Sequence, residues 1–341
     1  IGRVQLRVVD WWPMFQHDAR HTGYSTSPAP NTNRTRWTFP HEGGAFQPVV
    51  TSGMVFARGG TKIYALNETT GELVWTYDIG ISSHNTASAV AYGKVFVTTR
   101  NYDIAYHNVT ALNATTGQLI WNYTIDGSLT PPTVANGMVF VGKSILPLAD
   151  IGALYALNES TGTLIWKYTA PGEVFCAPAV ADGMVFSTSS RTVFALNQTT
   201  GDLIWSYPLG VWGLVHALVV VDGKVYVGDG WDSLLCLNES SGAHIRTYTV
   251  SGYANTAPVV AYGKVFVTST DYTYFYVYAF NETTAELIWS RTWSEQHAVD
   301  VTVADHKVFV GTWYNKTLYA FNESNGQVIW KYEGDGWAST A

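Results

Sequence analysis

The stretch YALNETTGELVW, from Tyr64 to Trp75, occurs in seven variant copies along the 341-residue chain. In every copy an asparagine stands eight residues before the last position. A fixed internal period is typical of one supersecondary unit stacked on its neighbours, so the sequence predicts an array of such units. The other six copies end at Trp121, Trp166, Trp205, Arg246, Trp289 and Trp330.

The texture within each period is that of short β-strands. The second period contains TASAVAY, GKVFVTTR, NVTALN and QLIWNYTI, separated by turn residues and without helical periodicity. Four strands in roughly 40 residues indicate one blade of a β-propeller. The sequence therefore predicts an all-β propeller of four-stranded blades, with seven complete repeats and an incomplete eighth blade from the termini. A closed seven-bladed ring is the alternative.

The ends of the chain do not fit a whole repeat. We expect an N-terminal lead-in at 1–42, the seven-repeat propeller at 43–334, and the start of a further blade at 335–341. RWTF (36–39) matches an outer strand, GWASTA (336–341) matches the start of an inner strand, and RVQLRVV (3–9) alternates like a strand. Three interpretations remain: a longer parent protein, a seven-bladed ring, or a blade completed by another copy through strand addition.

The repeated turn has a mechanical explanation. Its asparagine accepts local backbone donors and its glycine adopts a positive φ without steric cost. Ala285 replaces that glycine in the sixth repeat, which predicts a strained or differently shaped turn. The tryptophan after the glycine is expected to dock on a neighbouring blade, and Arg246 departs from this rule. The predicted docking residues are Trp75, Trp121, Trp166, Trp205, Trp289 and Trp330.

Composition excludes some classes of function. The chain is 13% charged and 14% aromatic, has a net charge of −7, and shows no Lys/Arg cluster, which argues against a nucleic-acid partner. No apolar run is long enough to predict a transmembrane segment. The start at Ile1, without a leader pattern, predicts a processed or trimmed chain. The two cysteines, Cys176 and Cys236, are interpreted as buried structural thiols.

Asn-X-Ser/Thr sequons are frequent, and each repeat turn carries one. Asn and Thr are favoured in such turns, which alone generates sequons, but Asp would serve equally and never occurs there. We therefore predict an extracellular or cell-surface glycoprotein. The candidate sites are Asn67, Asn113, Asn158, Asn197, Asn238, Asn281 and Asn322 in the turns, and Asn33, Asn108, Asn122 and Asn315 elsewhere.

The pattern A-L-N-x-x-T-G-x-x-x-W resembles the tryptophan-docking repeat of the PQQ-like, or quinoprotein-type, β-propeller family. WPMFQHDARHTGYS, from Trp12 to Ser25, resembles the lead-in of archaeal and bacterial surface members. The resemblance implies the scaffold more than an activity. Quinoprotein dehydrogenases carry adjacent cysteines and a Glu/Asn/Asp set around calcium, and this chain has neither at matching positions. No cofactor is therefore predicted: PQQ is disfavoured, and calcium or another metal stays open.

Ligands of propellers usually bind over the central channel, on loops that enter the innermost strands. Aligned repeats place His84, His216 and His297 there, with Glu173, Glu295 and Asp300 nearby, which makes these histidines weak metal candidates. Solvated loop residues are the preferred interpretation, since no pair has ligand spacing. DYTYFYVYAF from Asp271, with Trp231, Trp293, Trp313 and Tyr314, suggests glycan stacking or an interface, or simply inter-blade packing.

These observations favour a non-enzymatic extracellular scaffold or self-assembling binding protein, archaeal in character. Its expected partners are other copies of itself, cell-surface proteins or glycans. One alternative is a quinoprotein-like oxidoreductase or metal-dependent enzyme with a site over the channel. Another, from the resemblance, is a partner-binding platform similar to propellers of outer-membrane protein assembly.

Overall fold

Seven antiparallel sheets form a seven-bladed β-propeller in the computed structural model. The structure describes residues 12–40, 45–80, 87–99, 105–144, 151–209, 217–254, 256–294, 300–312 and 316–333, with backbone only at 45–47. Within these ranges, no helix is long and apolar enough to cross a membrane. The predicted all-β propeller is confirmed.

Each blade is a meander whose strands follow one another in sequence order. Blade 1 contains β2 (Ala45–Thr51), β3 (Met54–Gly59), β4 (Lys62–Asn67) and β5 (Leu73–Asp78). Blade 2 contains β6 (Ala89–Ala91), β7 (Lys94–Thr98), β8 (Tyr106–Asn113) and β9 (Leu119–Asp126). Blade 3 contains β10 (Ser128–Leu129), β11 (Thr133–Ala135), β12 (Met138–Ser144), β13 (Ile151–Asn158) and β14 (Leu164–Pro171).

The remaining blades follow the same plan. Blade 4 contains β15 (Ala179–Ala181), β16 (Met184–Ser189), β17 (Thr192–Asn197) and β18 (Leu203–Pro208). Blade 5 contains β19 (Leu218–Val221), β20 (Lys224–Gly228), β21 (Ser233–Asn238) and β22 (His244–Thr249). Blade 6 contains β23 (Val259–Ala261), β24 (Lys264–Thr270), β25 (Phe275–Asn281) and β26 (Leu287–Trp293). Blade 7 contains β27 (Val301–Ala304), β28 (Lys307–Gly311), β29 (Thr317–Asn322) and β30 (Val328–Glu333), and the N-terminal β1 (Tyr24–Ser25) pairs in parallel with β27.

The turn between the third and fourth strand of each blade is built as the sequence predicts. In blade 1 the Asn67 Oδ1 accepts the backbone N–H groups of Thr69 and Thr70 at 2.8 and 2.9 Å, and Gly71 has a φ of 75°. A one-residue register shift then follows between Ala65 and Leu66. The bulge places Trp75 on the buried face of an outer strand whose neighbouring positions are exposed.

Tryptophan docking joins each blade to the next. The indole N–H of Trp75 donates to the Ala114 carbonyl of blade 2 at 2.9 Å, and its ring lies against Gly117. A Cβ at Gly117 would lie 2.7 Å from the ring, so the glycine is required by close approach as well as by φ. The same bond is made at 2.8–2.9 Å by Trp121 to Glu159, Trp166 to Gln198, Trp205 to Glu239 and Trp289 to Glu323.

The two departures from the repeat meet at one junction. Arg246 of blade 5 donates to the carbonyl of Glu282 in the turn of blade 6, which is the turn that contains Ala285. Tyr248 donates to the same carbonyl at 2.7 Å. Ala285 keeps the usual turn with a φ of 61°, so the turn is strained rather than reshaped. At this junction the Arg246 guanidinium and the Tyr248 hydroxyl make the contact that an indole N–H makes elsewhere, and the turn has Ala285 in place of glycine.

The junction between blade 7 and blade 1 is made by the N-terminal segment. Trp330 donates to the Pro30 carbonyl at 3.0 Å, and Trp37 donates to the Glu68 carbonyl of blade 1 at 3.0 Å. Trp37 also covers Gly71, as the other docking rings cover their glycines. Pro30 and Trp37 are seven residues apart, like Glu68 and Trp75 within blade 1. Residues 30–37 therefore occupy the place of the turn and outer strand of an eighth repeat.

The face of blade 7 next to residues 30–37 is less covered than the same face of the other blades. Phe309 and Leu318 are partly exposed, whereas the residues at the same two positions in the other six blades are at most 1% exposed. Trp330 is also partly exposed and Tyr332 is 39% exposed. The predicted strand 3–9 and the GWASTA end lie outside the described residues. The structure thus combines seven four-stranded blades with one outer segment from the N-terminus.

Candidate functional site: the plugged central channel

The N-terminal segment 12–25 fills the central channel, and we call it the plug. It crosses the inner ends of the blades and takes hydrogen bonds from their innermost strands. The backbone N–H of a valine in each of five blades donates to a plug carbonyl at 2.6–2.9 Å. These pairs are Val50 to Trp12, Val90 to Pro13, Val180 to Ala19, Val220 to Arg20 and Val303 to Gly23.

The plug fills the channel with apolar side chains as well. Phe15, only 8% exposed, packs in one cluster with alanines that open the innermost strands of blades 2, 4, 5 and 6. These alanines are Ala87, Ala177, Ala217 and Ala257. A small residue at this position in several blades leaves room for one phenyl ring on the propeller axis, which follows from close packing of protein interiors. Phe15 is thus the shared core residue of the ring.

Asp18 holds the plug in a compact loop. Its Oδ1 accepts the backbone N–H groups of Arg20 and Thr22 at 2.9 and 3.1 Å, and its Oδ2 accepts the Thr22 hydroxyl at 2.7 Å. Burial opposes ionisation of this carboxyl, but hydrogen bonds from His17 and Thr22 hold its pKa below the usual value. Gln16, His17 and His21 have positive φ values of 51°, 80° and 61°, so the loop stores backbone strain.

Two titratable groups at the channel are buried and neutral at pH 7. His21 is 0% exposed, its Nε2 lies 3.1 Å from the Thr133 hydroxyl, and burial lowers its pKa from 6.5 to about 4. Cys176 is also 0% exposed, its thiol donates to the Ala177 carbonyl, and burial raises its pKa to about 12. The thiol is therefore protonated and inert, as the interpretation of Cys176 as structural predicted.

The three histidines proposed as metal candidates, His84, His216 and His297, lie outside the described residues, as does Glu295. Asp300 accepts the backbone N–H of Ala257 at 3.0 Å, and Glu173 lies 3.5 Å from the Ser144 hydroxyl. In the part of the chain that the structure describes, no three His, Cys, Asp or Glu side chains gather as a metal site would require.

Several polar groups of the described chain lie at the channel entrance. Thr130, Cys176, Thr256 and Asp300 carry hydroxyls, one protonated thiol and one carboxylate. The buried Arg58 guanidinium, opposite Phe46 in blade 1, donates to the Thr98 carbonyl at 2.7 Å. An anionic ligand would need paired cations or several backbone donors in such a buried place. The layer below it is filled by Phe15.

The plug was not predicted from the sequence, although its residues drew attention there. WPMFQHDARHTGYS stood apart from the repeats and resembled a lead-in of the family. The sequence did not predict that this segment lies inside the ring, because its contacts with the blades join residues far apart in sequence.

The sequons occupy several environments. All seven turn asparagines are partly exposed at blade edges, and the Thr or Ser two positions later in each sequon is exposed. Asn108 faces Thr124 and Asn122 faces Thr110 across β8 and β9. The Thr124 hydroxyl donates to Asn108 and the Thr110 hydroxyl donates to Asn122, both at 2.9 Å. Asn33 is exposed and donates to the Lys331 carbonyl, and Asn315 lies outside the described residues.

Comparison with known proteins places this architecture. The family model described as outer membrane protein assembly factor BamB matches residues 26–106, 62–150, 108–212 and 190–333. No curated protein matches the chain.

Solved structures similar to the chain include dehydrogenases and a BamB. The quinohemoprotein alcohol dehydrogenase of Comamonas testosteroni has a TM-score of 0.83 at 14% identity, over 97% of this chain and 74% of that one. BamB of Moraxella catarrhalis has a TM-score of 0.69 at 18% identity, over 88% and 93%. The computationally designed Ika8 protein has a TM-score of 0.72 at 18% identity, over 88% and 90%. At these identities the likeness shows the fold alone. Together with the family match across the repeats, it shows that the chain belongs to the PQQ-like β-propeller family represented by the BamB assembly factor model.

Proposed function

We propose that the protein is a non-enzymatic binding and scaffold protein of the cell surface. The observation that carries this proposal is the plug, because Phe15 and the backbone of residues 12–25 occupy the channel that a propeller enzyme would use for its ligand. Among the described titratable groups of the channel, burial leaves His21 neutral and Cys176 protonated at pH 7, and the Asp18 carboxylate accepts hydrogen bonds within the plug.

The oxidoreductase alternative is supported by the likeness to quinohemoprotein alcohol dehydrogenase. We test it by titrating the purified protein with PQQ and calcium while following tryptophan fluorescence, then assaying dye-linked alcohol oxidation. We expect no saturable quenching and no turnover. Stoichiometric PQQ binding with alcohol-dependent dye reduction would replace the scaffold proposal with an enzyme.

We propose further that the repeat turns carry N-linked glycans. In the blade 1 turn the Asn67 Oδ1 accepts two backbone N–H groups, while its Nδ2 donates no hydrogen bond within the described chain. The amide nitrogen that a glycan would occupy is therefore not needed by the fold, and Thr69 beside it is exposed. The same two-donor cap occurs at Asn113, Asn158, Asn197, Asn238, Asn281 and Asn322.

Mass spectrometry of protein from its native source or a glycosylating host tests this proposal. We expect an intact mass above the 37.5 kDa of the bare chain, with modified peptides at the turn asparagines. Asn136, an exposed asparagine outside any sequon, is the internal control and should be unmodified. A chain of 37.5 kDa from such a host contradicts both the glycoprotein and the extracellular proposal.

Self-association is the proposed use of the less covered face of blade 7. Phe309 and Leu318 offer apolar area there that the equivalent blades bury, and the exposed Tyr332 lies beside Leu318. Sedimentation velocity over a hundredfold concentration range should show concentration-dependent assembly. Leu318→Glu should abolish it, whereas Leu203→Glu, on an exposed outer strand of blade 4, should not. A monomer at every concentration would favour a platform for a different partner.

A further inference from the structure

Three separate loops at one end of blades 5 and 6 bring aromatic rings into contact. Trp231 follows β20, Tyr253 lies between β22 and β23, and Tyr272 follows β24. The Trp231 and Tyr253 rings are stacked with centroids 5.3 Å apart at 26°, and the Tyr253 and Tyr272 rings lie 5.1 Å apart at 58°. We call these three residues the aromatic platform. The sequence pointed to Trp231 and Tyr272 but not to Tyr253.

The platform is open to solvent. Trp231 is 46% exposed, Tyr272 is 61% exposed and the adjacent Tyr274 is 43% exposed, while Tyr253 is partly buried between the rings. The other aromatic residues singled out from the sequence behave differently. Trp293 packs on Phe275 and Phe321, and Tyr278 and Phe280 are buried, so the packing interpretation holds for them. Trp313 and Tyr314 lie outside the described residues.

Local hydrogen bonds hold the loops in place. The Asp229 Oδ1 accepts the N–H groups of Trp231 and Ser233 at 2.8 and 3.2 Å. The Asp271 Oδ1 accepts those of Thr273 and Tyr274 at 2.9 and 2.7 Å. The backbone N–H of Tyr253 also donates to Thr270 at 2.7 Å. Preorganised rings lose little conformational entropy when they bind a ligand.

One residue of the platform is held in a strained conformation. Tyr272 has a φ of 67°, an unfavourable value for an aromatic side chain, and the Asp271 turn keeps it there. Packing gives no reason for this strain, because the ring that it presents is the most exposed of the three. The strained backbone thus presents the ring to solvent beside Trp231 and Tyr253.

The surrounding charges restrict the ligand. Segments 229–233, 251–254 and 270–276 contain three aspartates and no Lys or Arg, and Asp232 is exposed beside Trp231. Anionic ligands are therefore disfavoured. Flat apolar faces beside carboxylate acceptors suit a ligand with a C–H face and a rim of hydroxyl donors.

We propose that the aromatic platform binds neutral carbohydrate, with hexopyranose rings packed on Trp231 and Tyr272 and hydroxyls bonded to Asp232. This deepens the proposed binding function and rests on it. A quaternary ammonium ligand is the competing chemistry, since aromatic rings and carboxylates also attract cations.

Native gel electrophoresis in gels that contain hydroxyethylcellulose or galactomannan tests the site. The wild-type chain should be retarded by at least one of these neutral polysaccharides. Trp231→Ala and Tyr272→Ala should each lose most of that retardation, while Tyr106→Ala, which removes a 67% exposed tyrosine elsewhere, should not. Unchanged melting temperatures show that the variants are folded.

Two outcomes overturn the proposal. One is migration unaffected by both polysaccharides, or retardation that survives Trp231→Ala and Tyr272→Ala. The other is saturable fluorescence quenching by choline, lost in Trp231→Ala, without polysaccharide retardation. Failure here leaves the glycan mass and PQQ titration results untouched, so it is distinguishable from failure of the proposed function.

Discussion

At the scale of single residues, the docking rule is a contact between an indole and a glycine that has no Cβ. A Cβ at Gly162 would lie 2.6 Å from the Trp121 ring. Gly162→Ala should therefore destabilise the protein by roughly 2–4 kcal/mol, because overpacking adds to the strain of a positive φ. Denaturant unfolding monitored by circular dichroism measures the change.

The reverse substitution at Ala285 is the matched control. Ala285→Gly relieves a non-glycine φ of 61° and removes a methyl that faces no indole. It should be neutral or stabilising by up to about 1 kcal/mol. Arg246→Trp should be poorly tolerated alone and tolerated together with Ala285→Gly. Equal effects of Gly162→Ala and Ala285→Gly would contradict the docking argument.

His21 makes stability depend on pH. Its pKa falls from 6.5 in the unfolded chain to about 4 in the folded protein. The unfolded state then binds more protons between these values, so the free energy of unfolding falls as pH decreases from 6.5 to 4, by up to about 1.4 kcal/mol per pH unit from this group. The slope fades above the unfolded pKa and is negligible above about pH 7.5.

The difference between wild type and His21→Gln isolates this contribution from the carboxylates. We expect the variant to have a flatter pH profile in that window when unfolding is measured by urea titration at several pH values. His244→Gln, at an exposed site, should follow the wild type. Parallel profiles for wild type and His21→Gln would refute the assignment.

The sequence predicts much at this scale, but not the junction of Arg246 with Ala285. Six docking tryptophans, the asparagine caps and the turn glycines follow from the repeat, because each is a local pattern. Arg246 and Ala285 are visible as exceptions in different repeats. Their meeting depends on which blade docks on which, and that is a property of the ring.

Among the structural elements, the plug buries the Phe15 ring in the central channel. Phe15→Ala removes that ring from four alanines that cannot close the gap. We expect a loss of roughly 3–4 kcal/mol, as for other buried Phe→Ala changes. Thermal and urea unfolding measure it, with Tyr106→Ala as an exposed aromatic control.

Access of a small molecule to the channel is a second measurement on Phe15→Ala. Binding of a small apolar dye should increase in Phe15→Ala if the plug is what closes the channel. An unfolding free energy and dye binding equal to those of the wild type would show that Phe15 is not a core residue. The loss expected for Phe15 exceeds that for any exposed aromatic residue of similar size.

At the scale of the whole molecule, the ring is closed by eight docking contacts around seven blades. Residues 30–37 take part in two of these contacts: the Trp330 indole donates to the Pro30 carbonyl, and the Trp37 indole donates to the Glu68 carbonyl of blade 1. The sequence identified RWTF as an unmatched outer strand, but not the partner of its tryptophan. Local patterns do not specify which two blades a terminal segment joins.

This seam should be the least stable junction of the ring. In the other blades a neighbouring four-stranded sheet covers the docking face. In the part of the chain that the structure describes, residues 30–37 take that place at blade 7, where Phe309 and Leu318 are partly exposed. Native-state hydrogen exchange should therefore show β29 and β30 of blade 7 opening at lower free energy than β13 and β14 of blade 3.

Trp37→Ala should accelerate exchange in blades 7 and 1, because it releases the segment that joins them. Trp121→Ala is the matched control, since it removes the same kind of contact between blades 2 and 3, and its effect should stay there. Uniform exchange around the ring, or an effect of Trp37→Ala no larger at the seam than elsewhere, would mean that residues 30–37 are not what closes the propeller.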